Sequence, residues 1–545
     1  MIVVRAPVDD FRPAQDSFAS FFYARSDLDE QFLVELHREH GTRQRWTVGQ
    51  WQERVTVVAE WLTSQGAATG SSVATLAGNT ADALAVAYGC WVLGACAVPL
   101  NPADSLERMT YILEDTATSL LVYAATTADR AGDLLRATGV PIAPVSSLPK
   151  AAEGPGGSRG SQRQPDVVAA ASGIDVPALR VYTSGTTGDP KGVVLTVTNL
   201  LTDCDALAQG FNWPIDTRIF TVLPIHHVNG LVVSSLLPWY ARLSTVLCDR
   251  FRSETFWADV ESEGATVCSV VPSLLEFLLA TGGATPDCFR EFACGAGPLL
   301  VETAVDCEQR FQVPIRHLWG LSETTAVATL MPQLNSDERA RWHREYGFPS
   351  IGPALPHVEV AVLDQQGVEL LAGLRGELAV RGGIVMQEYA SKPLETADAF
   401  SNGWFHTGDE GFWQPGPGGR SFFFITGRIK ELIIRGGANV SPFEVDSVLR
   451  SHPAVKFGLT VPFENRFYGE EIAAYVVRDG DVSEEDILAH CARFLDYARC
   501  PKVVIFGDEV PYTTTGKAKR LELKTRLAPV LTNYRDVQFR RSRMT

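Results

Sequence analysis

The chain has 545 residues, of which 45% are hydrophobic, so it is long enough to bury several hydrophobic cores and to form two or more domains. Its 64 acidic residues outnumber 48 basic residues, and the net charge of -16 argues against general binding to nucleic acid or to an anionic membrane surface. The ten cysteines contain no Cys-x-x-Cys pair, so neither a zinc site nor a disulfide framework is indicated. The first ten residues are charged and lack an apolar core, so no signal peptide is predicted and the cytoplasm is the expected location.

The first predicted elements belong to a scaffold. Apolar residues at helical spacing predict a helix over 47–65, and 72–77 is predicted to be a strand. Residues 81–100 are apolar over nearly the length of a membrane span, but glycines interrupt them and they end in Pro-Leu-Asn-Pro. We therefore predict a buried helix that runs into a strand, and no membrane span. The Gly/Ser/Ala/Gln-rich stretch 151–173 is predicted to be a mobile surface connection.

The stretch 182–193 reads Tyr-Thr-Ser-Gly-Thr-Thr-Gly-Asp-Pro-Lys-Gly-Val and follows 178–181, which is predicted to end a short buried strand. Its glycines allow a tight backbone that approaches a ligand closely, and its hydroxyls and lysine suit a polyphosphate. It is not a Walker loop, because glycine rather than serine or threonine follows Lys191. The candidate phosphate-binding residues are Thr183, Ser184, Gly185, Thr186, Thr187, Gly188 and Lys191.

All ten positions from Thr183 to Gly192 resemble the phosphate loop of the AMP-forming acyl-adenylate enzymes, which include acyl-CoA synthetases, luciferases and nonribosomal adenylation domains. Further family landmarks follow in the family's order from Gly94 to Arg520. The resemblance implies a large α/β N-terminal domain with helix-flanked sheets over 1–429 and a small mobile α+β C-terminal domain over 430–545. The active site is expected between the two domains.

The acyl side of the site is expected around 223–230, which reads Leu-Pro-Ile-His-His-Val-Asn-Gly and is similar to the family's Leu-Pro-x-x-His-x-x-Gly motif. The resemblance places His227 beside the acyl pocket and Gly230 near the acyl and thiol tunnel, whereas His226 is expected to be an ordinary core or surface residue. Amino-acid-activating relatives usually have an aspartate near here for the substrate's ammonium group, and 226–229 contains none. A carboxylic acid without an α-amine is therefore the expected substrate, because a buried ammonium without a counter-charge is costly.

The resemblance also assigns the nucleotide contacts. The stretch Gly295-Ala296-Gly297 is expected along one face of the adenine, and Trp319, in place of the commoner tyrosine, is expected to cover the ring. The remaining expected contacts are Gly320 next to Trp319, Ser322 at the α-phosphate, Glu323 as the Mg²⁺ ligand, and Asp409 and Arg428 at the ribose.

The C-terminal landmarks imply a rotating domain. Lys430, two residues after Arg428, matches the family's hinge, and Gly436-Gly437 is expected to face the thiol tunnel after rotation. Lys517, in the run Thr-Thr-Thr-Gly-Lys, matches the lysine that assists adenylation from a mobile loop of the small domain. Catalytic roles are thus expected for Lys517, Glu323 and His227.

These resemblances imply an acid–thiol ligase that uses ATP and Mg²⁺ to form an acyl-adenylate and then transfers the acyl group to coenzyme A. A separate acyl carrier protein is the alternative acceptor, and an enzyme that performs only the thioester-forming half-reaction is a further alternative. A luciferase-like oxygenase would instead emit light with oxygen. A nucleotide-sensing protein would bind ATP without releasing pyrophosphate.

Overall fold

The structure is a computed structural model that describes residues 11–37, 41–149, 173–183, 190–334, 336–512 and 518–539. Helices and strands alternate up to residue 149. These elements are α1 (Phe18–Phe22), β1 (Gln31–His37), β2 (Thr42–Thr47), α2 (Val48–Ser64), β3 (Ser72–Leu76), α3 (Ala81–Leu93), β4 (Cys96–Pro99), α4 (Leu106–Asp115), β5 (Leu120–Tyr123), α5 (Ala128–Thr138) and β6 (Ile142–Pro144). The predictions for 47–65, 72–77 and 81–100 are confirmed by α2, β3 and the succession of α3 and β4. The predicted connection 151–173 lies outside the described residues except for its last residue.

The next region begins with the strand that leads into the predicted phosphate loop. Its elements are β7 (Pro177–Thr183), β8 (Lys191–Thr196), α6 (Val197–Phe211), β9 (Arg218–Thr221), a π-helix (Asn229–Leu236) continued by α7 (Leu237–Tyr240), β10 (Ser244–Cys248), α8 (Phe256–Glu263), β11 (Val267–Val270), α9 (Pro272–Thr281), β12 (Glu291–Cys294), α10 (Val301–Phe311), β13 (Ile315–Trp319) and β14 (Thr329–Leu330).

The remainder is richer in antiparallel strands. Up to residue 428 its elements are α11 (Ser336–Tyr346), β15 (Val358–Leu363), β16 (Gly376–Gly382), β17 (Glu388–Tyr389), α12 (Pro393–Ala399), β18 (Phe405–Pro415) and β19 (Ser421–Arg428). After residue 432 they are β20 (Ile433–Arg435), β21 (Ala438–Val440), α13 (Pro442–Arg450), β22 (Val455–Asn465), β23 (Gly469–Arg478), α14 (Glu484–Phe494), β24 (Val503–Gly507) and α15 (Arg520–Leu531).

Two sheets with largely parallel pairing form the large N-terminal region. One has the order β17-β8-β7-β4-β3-β5-β6 and the other β14-β13-β12-β11-β9-β10-β1-β2. Parallel strands bury both faces, which fits the apolar runs in β3, β4, β9 and β11. Helix α3 is buried almost all round and packs against α2, so its apolar length serves the core. Within the described residues, no helix combines the length and apolar character that a bilayer span requires.

The chain changes sheets between Arg428 and Ile433. Strands β15, β16, β18 and β19 form an antiparallel sheet, whereas β20 to β24 form a separate sheet with its own hydrophobic core. A short 3₁₀ turn, Ile429–Glu431, joins the two and carries the predicted hinge residue Lys430. The α/β region followed by a smaller α+β region agrees with the predicted fold class, while the boundary at residue 430 stays a prediction.

Candidate active site

The predicted phosphate loop joins the two antiparallel strands β7 and β8. Thr183 lies opposite Lys191 at the base of the loop, so both flanks of the motif are held in one hairpin. The Lys191 ammonium lies 4.6 Å from the centroid of the Tyr389 ring, within the range of a cation–π contact. The predicted residues Ser184, Gly185, Thr186, Thr187 and Gly188 lie outside the described residues.

The predicted adenine contacts come from two neighbouring parallel strands. Gly295, Ala296 and Gly297 follow the end of β12, and Trp319 ends β13, which pairs directly with β12. Gly320 follows Trp319 at the same edge of the sheet. Parallel pairing therefore brings together two motifs that are separated by more than 20 residues in the sequence.

A cleft of about 350 Å³ opens beside these strand ends. On the side of the large region the cleft is lined by Pro298, by His317 of β13 and by Ile425 of β19. On the side of the small region it is lined by Phe443 and Ser447 of α13. Burial lowers the pKa of His317 to about 4, so the ring is neutral near pH 7. The cleft thus joins the predicted adenine motifs to the small C-terminal region.

Asp409 is the centre of a buried polar cluster. Its carboxylate Oδ2 accepts a hydrogen bond from Trp319 Nε1 at 2.8 Å, and Oδ1 lies 2.7 Å from Arg428 Nε. Asp409 and Arg428 are cross-strand partners on β18 and β19, and Asp409 is 1% exposed. The structure therefore brings together three of the predicted nucleotide-binding residues, and it shows that the Trp319 indole nitrogen donates to the predicted ribose ligand.

Glu323 lies in the 3₁₀ turn Ser322–Thr324 that follows β13. Its Oε1 accepts a hydrogen bond from the Tyr389 hydroxyl at 2.9 Å, and the residue is 8% exposed. Among the described residues, no cationic side chain lies within ion-pair distance of this carboxylate. A buried carboxylate with only a neutral donor is costly, so its donor chemistry suits a hard divalent cation such as Mg²⁺.

No group of three or more His, Cys, Asp or Glu side chains in the described part of the chain could hold a metal ion by itself. Proteins usually bind Mg²⁺ through one or two carboxylates together with substrate phosphates and water. Glu323 would supply the protein's oxygen ligand in such an arrangement.

The histidine motif is anchored by a residue that the sequence analysis did not identify. The buried Asn79 side chain donates to the carbonyl oxygens of Leu223 and Cys248 at 3.0 and 3.1 Å. Its Oδ1 accepts the backbone N–H of Ile225 at 2.9 Å. Asn79 thereby ties the segment before His227 to the end of β10.

His226 and His227 have their ring centroids 4.5 Å apart. Burial lowers the pKa of His226 to about 3, and its Nε2 has no hydrogen-bond partner among the described residues. His226 also borders a cavity of about 330 Å³ lined by small side chains of α3, β3 and β4, among them Ala83 and Ala97. The His226 ring is therefore buried and neutral, and it lies next to the His227 ring.

Gly230 is the second residue of the π-helix and packs tightly against the segment that precedes it. A Cβ at this position would stand 2.4 Å from the Pro224 carbonyl oxygen, so only glycine allows the backbone segments to approach this closely. Its own carbonyl accepts a hydrogen bond from Ser235 Oγ at 2.8 Å within the π-helix. Gly230 therefore holds the His227 segment against the start of that helix.

The predicted thiol-tunnel glycines form the two-residue turn between β20 and β21. Gly436 and Gly437 have φ values of +57° and +86°, which suit the tight turn of a twisted hairpin. Below the turn, Arg435 makes two 2.8 Å hydrogen bonds with the buried Glu471 carboxylate. Lys517 lies outside the described residues, but Arg520 just after it is paired with Asp446 at 2.6 Å.

The structure thus groups Trp319, Asp409 and Arg428 at one place and Glu323, Tyr389 and Lys191 at another. Tyr389 and Asn79 were missed because no local pattern marks them: Tyr389 lies in a two-residue strand, and Asn79 lies in a loop before α3. Their significance follows from contacts with residues more than 60 positions away in the chain.

Comparison with known proteins gives two family matches. Residues 23–390 match the family model of the AMP-binding enzymes, and residues 444–517 match that of the AMP-binding enzyme C-terminal domain. The sulfoacetate–CoA ligase of Cupriavidus necator is 32% identical over 84% of this chain and 88% of its own length. The long-chain-fatty-acid–CoA ligase FadD13 of Mycobacterium tuberculosis is 30% identical over 90% of this chain and 95% of its own.

Solved structures are similar over nearly the whole chain. ATP-bound MatB from Rhodopseudomonas palustris superimposes with a TM-score of 0.80 at 26% identity, covering 95% of this chain and 100% of that one. The O-succinylbenzoate coenzyme A synthetase of Bacillus subtilis, solved with ATP and magnesium, has a TM-score of 0.78 at 25% identity, covering 94% and 99%.

Proposed function

Because this chain belongs to the AMP-binding enzyme family and is an AMP-forming acid–CoA ligase, we propose that the polar clusters around Asp409 and Glu323 form its nucleotide site. The enzyme uses ATP with Mg²⁺ to convert a small-molecule carboxylic acid to an acyl-adenylate, and coenzyme A then accepts the acyl group. The observation that carries the proposal is the engagement of both Asp409 oxygens by Trp319 and Arg428.

We propose that the adenine enters the cleft bordered by Pro298 and His317 and that the ribose hydroxyls bind at Asp409. Each carboxylate oxygen has a second lone pair, so Asp409 can accept from a ribose hydroxyl while it keeps its contacts to Trp319 and Arg428. The strands next to this position are β12, which is followed by Gly295, Ala296 and Gly297, and β13, which is followed by Gly320. These roles are consistent with the burial and charge of the cluster.

The phosphates are proposed to lie between the loop 183–192 and the turn that carries Ser322 and Glu323. A substrate carboxylate oxygen attacks the α-phosphorus, and the bond to the departing pyrophosphate breaks, so negative charge must be stabilised on the phosphate oxygens. Lys191 and Lys517 supply cationic donors for this charge, and Ser322 supplies a hydroxyl. Mg²⁺ held by Glu323 supplies further positive charge to the phosphate oxygens when it is bound with ATP.

The acyl side is proposed to lie at His227, with Asn79 holding the preceding segment. Because residues 226–229 contain no acidic side chain, a substrate without an α-amine remains the favoured class. The named substrates of the relatives, sulfoacetate and long-chain fatty acids, differ in size and polarity and leave the acid of this enzyme open within that class.

We propose that the region after Lys430 rotates between the two half-reactions, so that Lys517 serves adenylation and the Gly436-Gly437 turn serves thioester formation. In the second step the thiol sulfur attacks the acyl carbonyl and AMP leaves. Transfer to a separate acyl carrier protein stays an alternative to be tested with the same enzyme. A cytoplasmic location is supported by the ten cysteines, none of which forms a disulfide and nine of which are buried.

The test is pyrophosphate exchange into ATP with aryl, short-chain, long-chain and polycyclic acids, run beside thioester formation from a synthetic acyl-adenylate. Exchange with one acid class identifies the substrate. In Lys517→Ala we expect adenylation to fall by on the order of 10²-fold or more, because a charge contact to the transition state is lost.

Thioester formation from the supplied acyl-adenylate should stay near the wild-type rate in Lys517→Ala. The matched control is Lys524→Ala, a change in α15 close to the same loop in the sequence, which should leave both half-reactions unchanged. An equal loss of both half-reactions in Lys517→Ala would contradict the assigned role. The acceptor is tested in the same assay by replacing coenzyme A with a phosphopantetheinylated carrier protein.

A further inference from the structure

A short segment links the two halves of the proposed phosphate and metal site. We call residues 383–390, which end in β17, the strap. On one side Ala390 N–H donates at 2.7 Å to the carbonyl of Gly192, the last residue of the predicted phosphate loop. On the other side Met386 N–H donates to the Glu323 carbonyl at 2.7 Å. The strap is therefore hydrogen-bonded to both motifs through its backbone.

Further hydrogen bonds fix the strap in place. The Asn199 amide donates to the carbonyl oxygens of Gly383 and Val385 at 2.8 and 2.9 Å. The Thr325 hydroxyl donates to the Ile384 carbonyl at 2.7 Å. Tyr389 itself lies opposite Val193 in the pairing of β17 with β8. These hydrogen bonds and the strand pairing therefore hold the backbone at Tyr389 in place.

Tyr389 uses both parts of its side chain. Its hydroxyl donates to Glu323 Oε1 at 2.9 Å, while its ring face lies 4.6 Å from the Lys191 ammonium. The residue is 7% exposed, and burial followed by the Glu323 charge raises the pKa of Tyr389, so the phenol remains a proton donor at neutral pH. One side chain therefore contacts a phosphate-loop cation and a carboxylate of opposite charge.

A carboxylate that binds a metal ion together with the phosphates of a nucleotide benefits from a fixed orientation. Hydrogen bonds from neighbouring groups orient metal-binding side chains, and their loss commonly weakens metal binding by 10- to 100-fold. The ring contact has a comparable effect on a lysine, since a flexible side chain held at one place loses less freedom when the ligand arrives.

We propose that Tyr389 is a positioning residue that orients Glu323 for the metal ion through its hydroxyl and Lys191 for the phosphates through its ring. The inference rests on the proposed role of Glu323 and extends it to a residue outside the recognised motifs. It predicts that the two parts of the side chain have separable effects.

The test compares Tyr389→Phe, which keeps the ring, with Tyr389→Leu, which removes both the ring and the hydroxyl. Tyr240→Phe is the matched control, because the Tyr240 hydroxyl also donates to a carboxylate oxygen, Asp205 Oδ1, at 2.7 Å. Burial raises the pKa of Tyr240, as it does that of Tyr389. Thermal unfolding of all three variants establishes that they are folded.

The first measurement is Mn²⁺ binding, which is monitored by electron paramagnetic resonance. The protein is incubated with an ATP analogue that has a methylene group between the α- and β-phosphates. We expect Tyr389→Phe to weaken Mn²⁺ binding about tenfold and to raise the Mg²⁺ concentration for half-maximal pyrophosphate exchange by a similar factor. Tyr240→Phe should match the wild type in both measurements.

The second measurement is binding of the same analogue with EDTA present, which removes the metal contribution. Tyr389→Phe should bind it like the wild type, whereas Tyr389→Leu should bind it several-fold more weakly because Lys191 loses its ring contact. Unchanged Mn²⁺ affinity in Tyr389→Phe would overturn the positioning role and leave the proposed metal site intact. Loss of Mn²⁺ binding in Glu323→Gln supports that site, and wild-type protein that binds no Mn²⁺ with the analogue would overturn both.

Discussion

Three buried carboxylates show how the surroundings of a residue decide its chemistry. Asp409 has an arginine and an indole donor, and Glu323 has one phenol donor. Asp203 in α6 is fully buried, and among the residues that the structure describes its Oδ1 accepts only the Val327 N–H, at 3.3 Å. Burial raises the pKa of Asp203 well above its ordinary value, so folding favours the protonated form of this carboxyl group.

The raised pKa of Asp203 predicts a pH-dependent loss of stability. The unfolded chain releases the Asp203 proton above its ordinary pKa of 3.8, whereas the folded chain keeps the proton to a higher pH. Folding therefore takes up a proton, and this group lowers the free energy of unfolding by about 1.4 kcal/mol per pH unit until the folded pKa is reached. Asp203→Asn removes this effect and keeps a carbonyl acceptor, so its Tm should exceed that of the wild type by more at pH 8 than at pH 5.

Asp205→Asn is the control for this comparison. Asp205 lies two residues further along α6, but its carboxylate is paired with Tyr240 and His357 at 2.7 Å each. Removing its charge breaks favourable contacts, so this variant should gain no stability at any pH. A difference in Tm between Asp203→Asn and wild type that stays constant from pH 5 to pH 8 would contradict a raised pKa of Asp203 in the folded protein.

At the scale of elements, the π-helix Asn229–Leu236 is the unusual feature of the acyl side. A π-helix replaces the regular i→i−4 hydrogen bonds with i→i−5 bonds and is rare, so additional donors to its carbonyl oxygens help to stabilise it. Thr221 and Thr245 hydroxyls donate to the Ser234 carbonyl, and the Tyr88 hydroxyl donates to the Ser235 carbonyl. Side chains from β9, β10 and α3 thus stabilise the irregular helix directly after His227.

The packing at the start of this helix predicts a severe effect of Gly230→Ala. The added Cβ would stand 2.4 Å from Pro224 O and 2.8 Å from Leu223 O, and both obstacles are backbone atoms that cannot rotate away. We expect a loss of about 1–3 kcal/mol or more, seen as a Tm lower by several degrees, and a raised KM for the acid because the His227 segment is displaced.

Gly78→Ala is the matched control, since a Cβ at Gly78 meets no atom within 4 Å. It should leave the Tm and the acid KM near their wild-type values. If Gly230→Ala instead unfolds at the wild-type temperature, the close backbone approach at residue 230 is not required for the fold.

At the scale of the whole molecule, the small region packs on the large one through α13, which contacts α9 and α10. Arg450 lies 3.1 Å from the Glu276 carboxylate, and the Ser447 hydroxyl donates to Glu302 at 3.0 Å. Burial raises the pKa of Glu302, the acceptor in the second of these contacts. A rotation about Lys430 would break these contacts and form others.

Lys430→Pro tests whether the two half-reactions require such a rotation. Proline fixes φ near −65°, so the variant should favour one orientation of the small region. We expect the two half-reactions to diverge, with one slowed about tenfold or more relative to the other, when pyrophosphate exchange and thioester formation are measured separately.

Lys430→Ala removes the charge without restricting φ and should keep the wild-type ratio of the two rates. Unchanged rates of both half-reactions in Lys430→Pro would contradict a hinge at this residue. A parallel loss in both, with a lowered Tm, would indicate damage to the 3₁₀ turn rather than a trapped orientation.

The sequence by itself determined the family, the AMP-forming chemistry and the order of the motifs, because these depend on short runs whose residue types suit a phosphate, a ribose or a tight turn. It also predicted α2, β3, and the helix and strand within 81–100, since apolar spacing and glycine positions are local signals. The strand before the phosphate loop was predicted in the same way.

Only the tertiary structure decided which side chains orient these motifs. The Trp319 indole donates to Asp409 across 90 positions, Tyr389 donates to Glu323 across 66, and Asn79 reaches Leu223 across 144. Such pairs depend on strand order and helix packing, which bring distant segments together without leaving a local pattern at either residue. For that reason the motifs that carry the candidate nucleotide-binding residues could be found in the sequence, whereas the residues that hold those motifs in place could not.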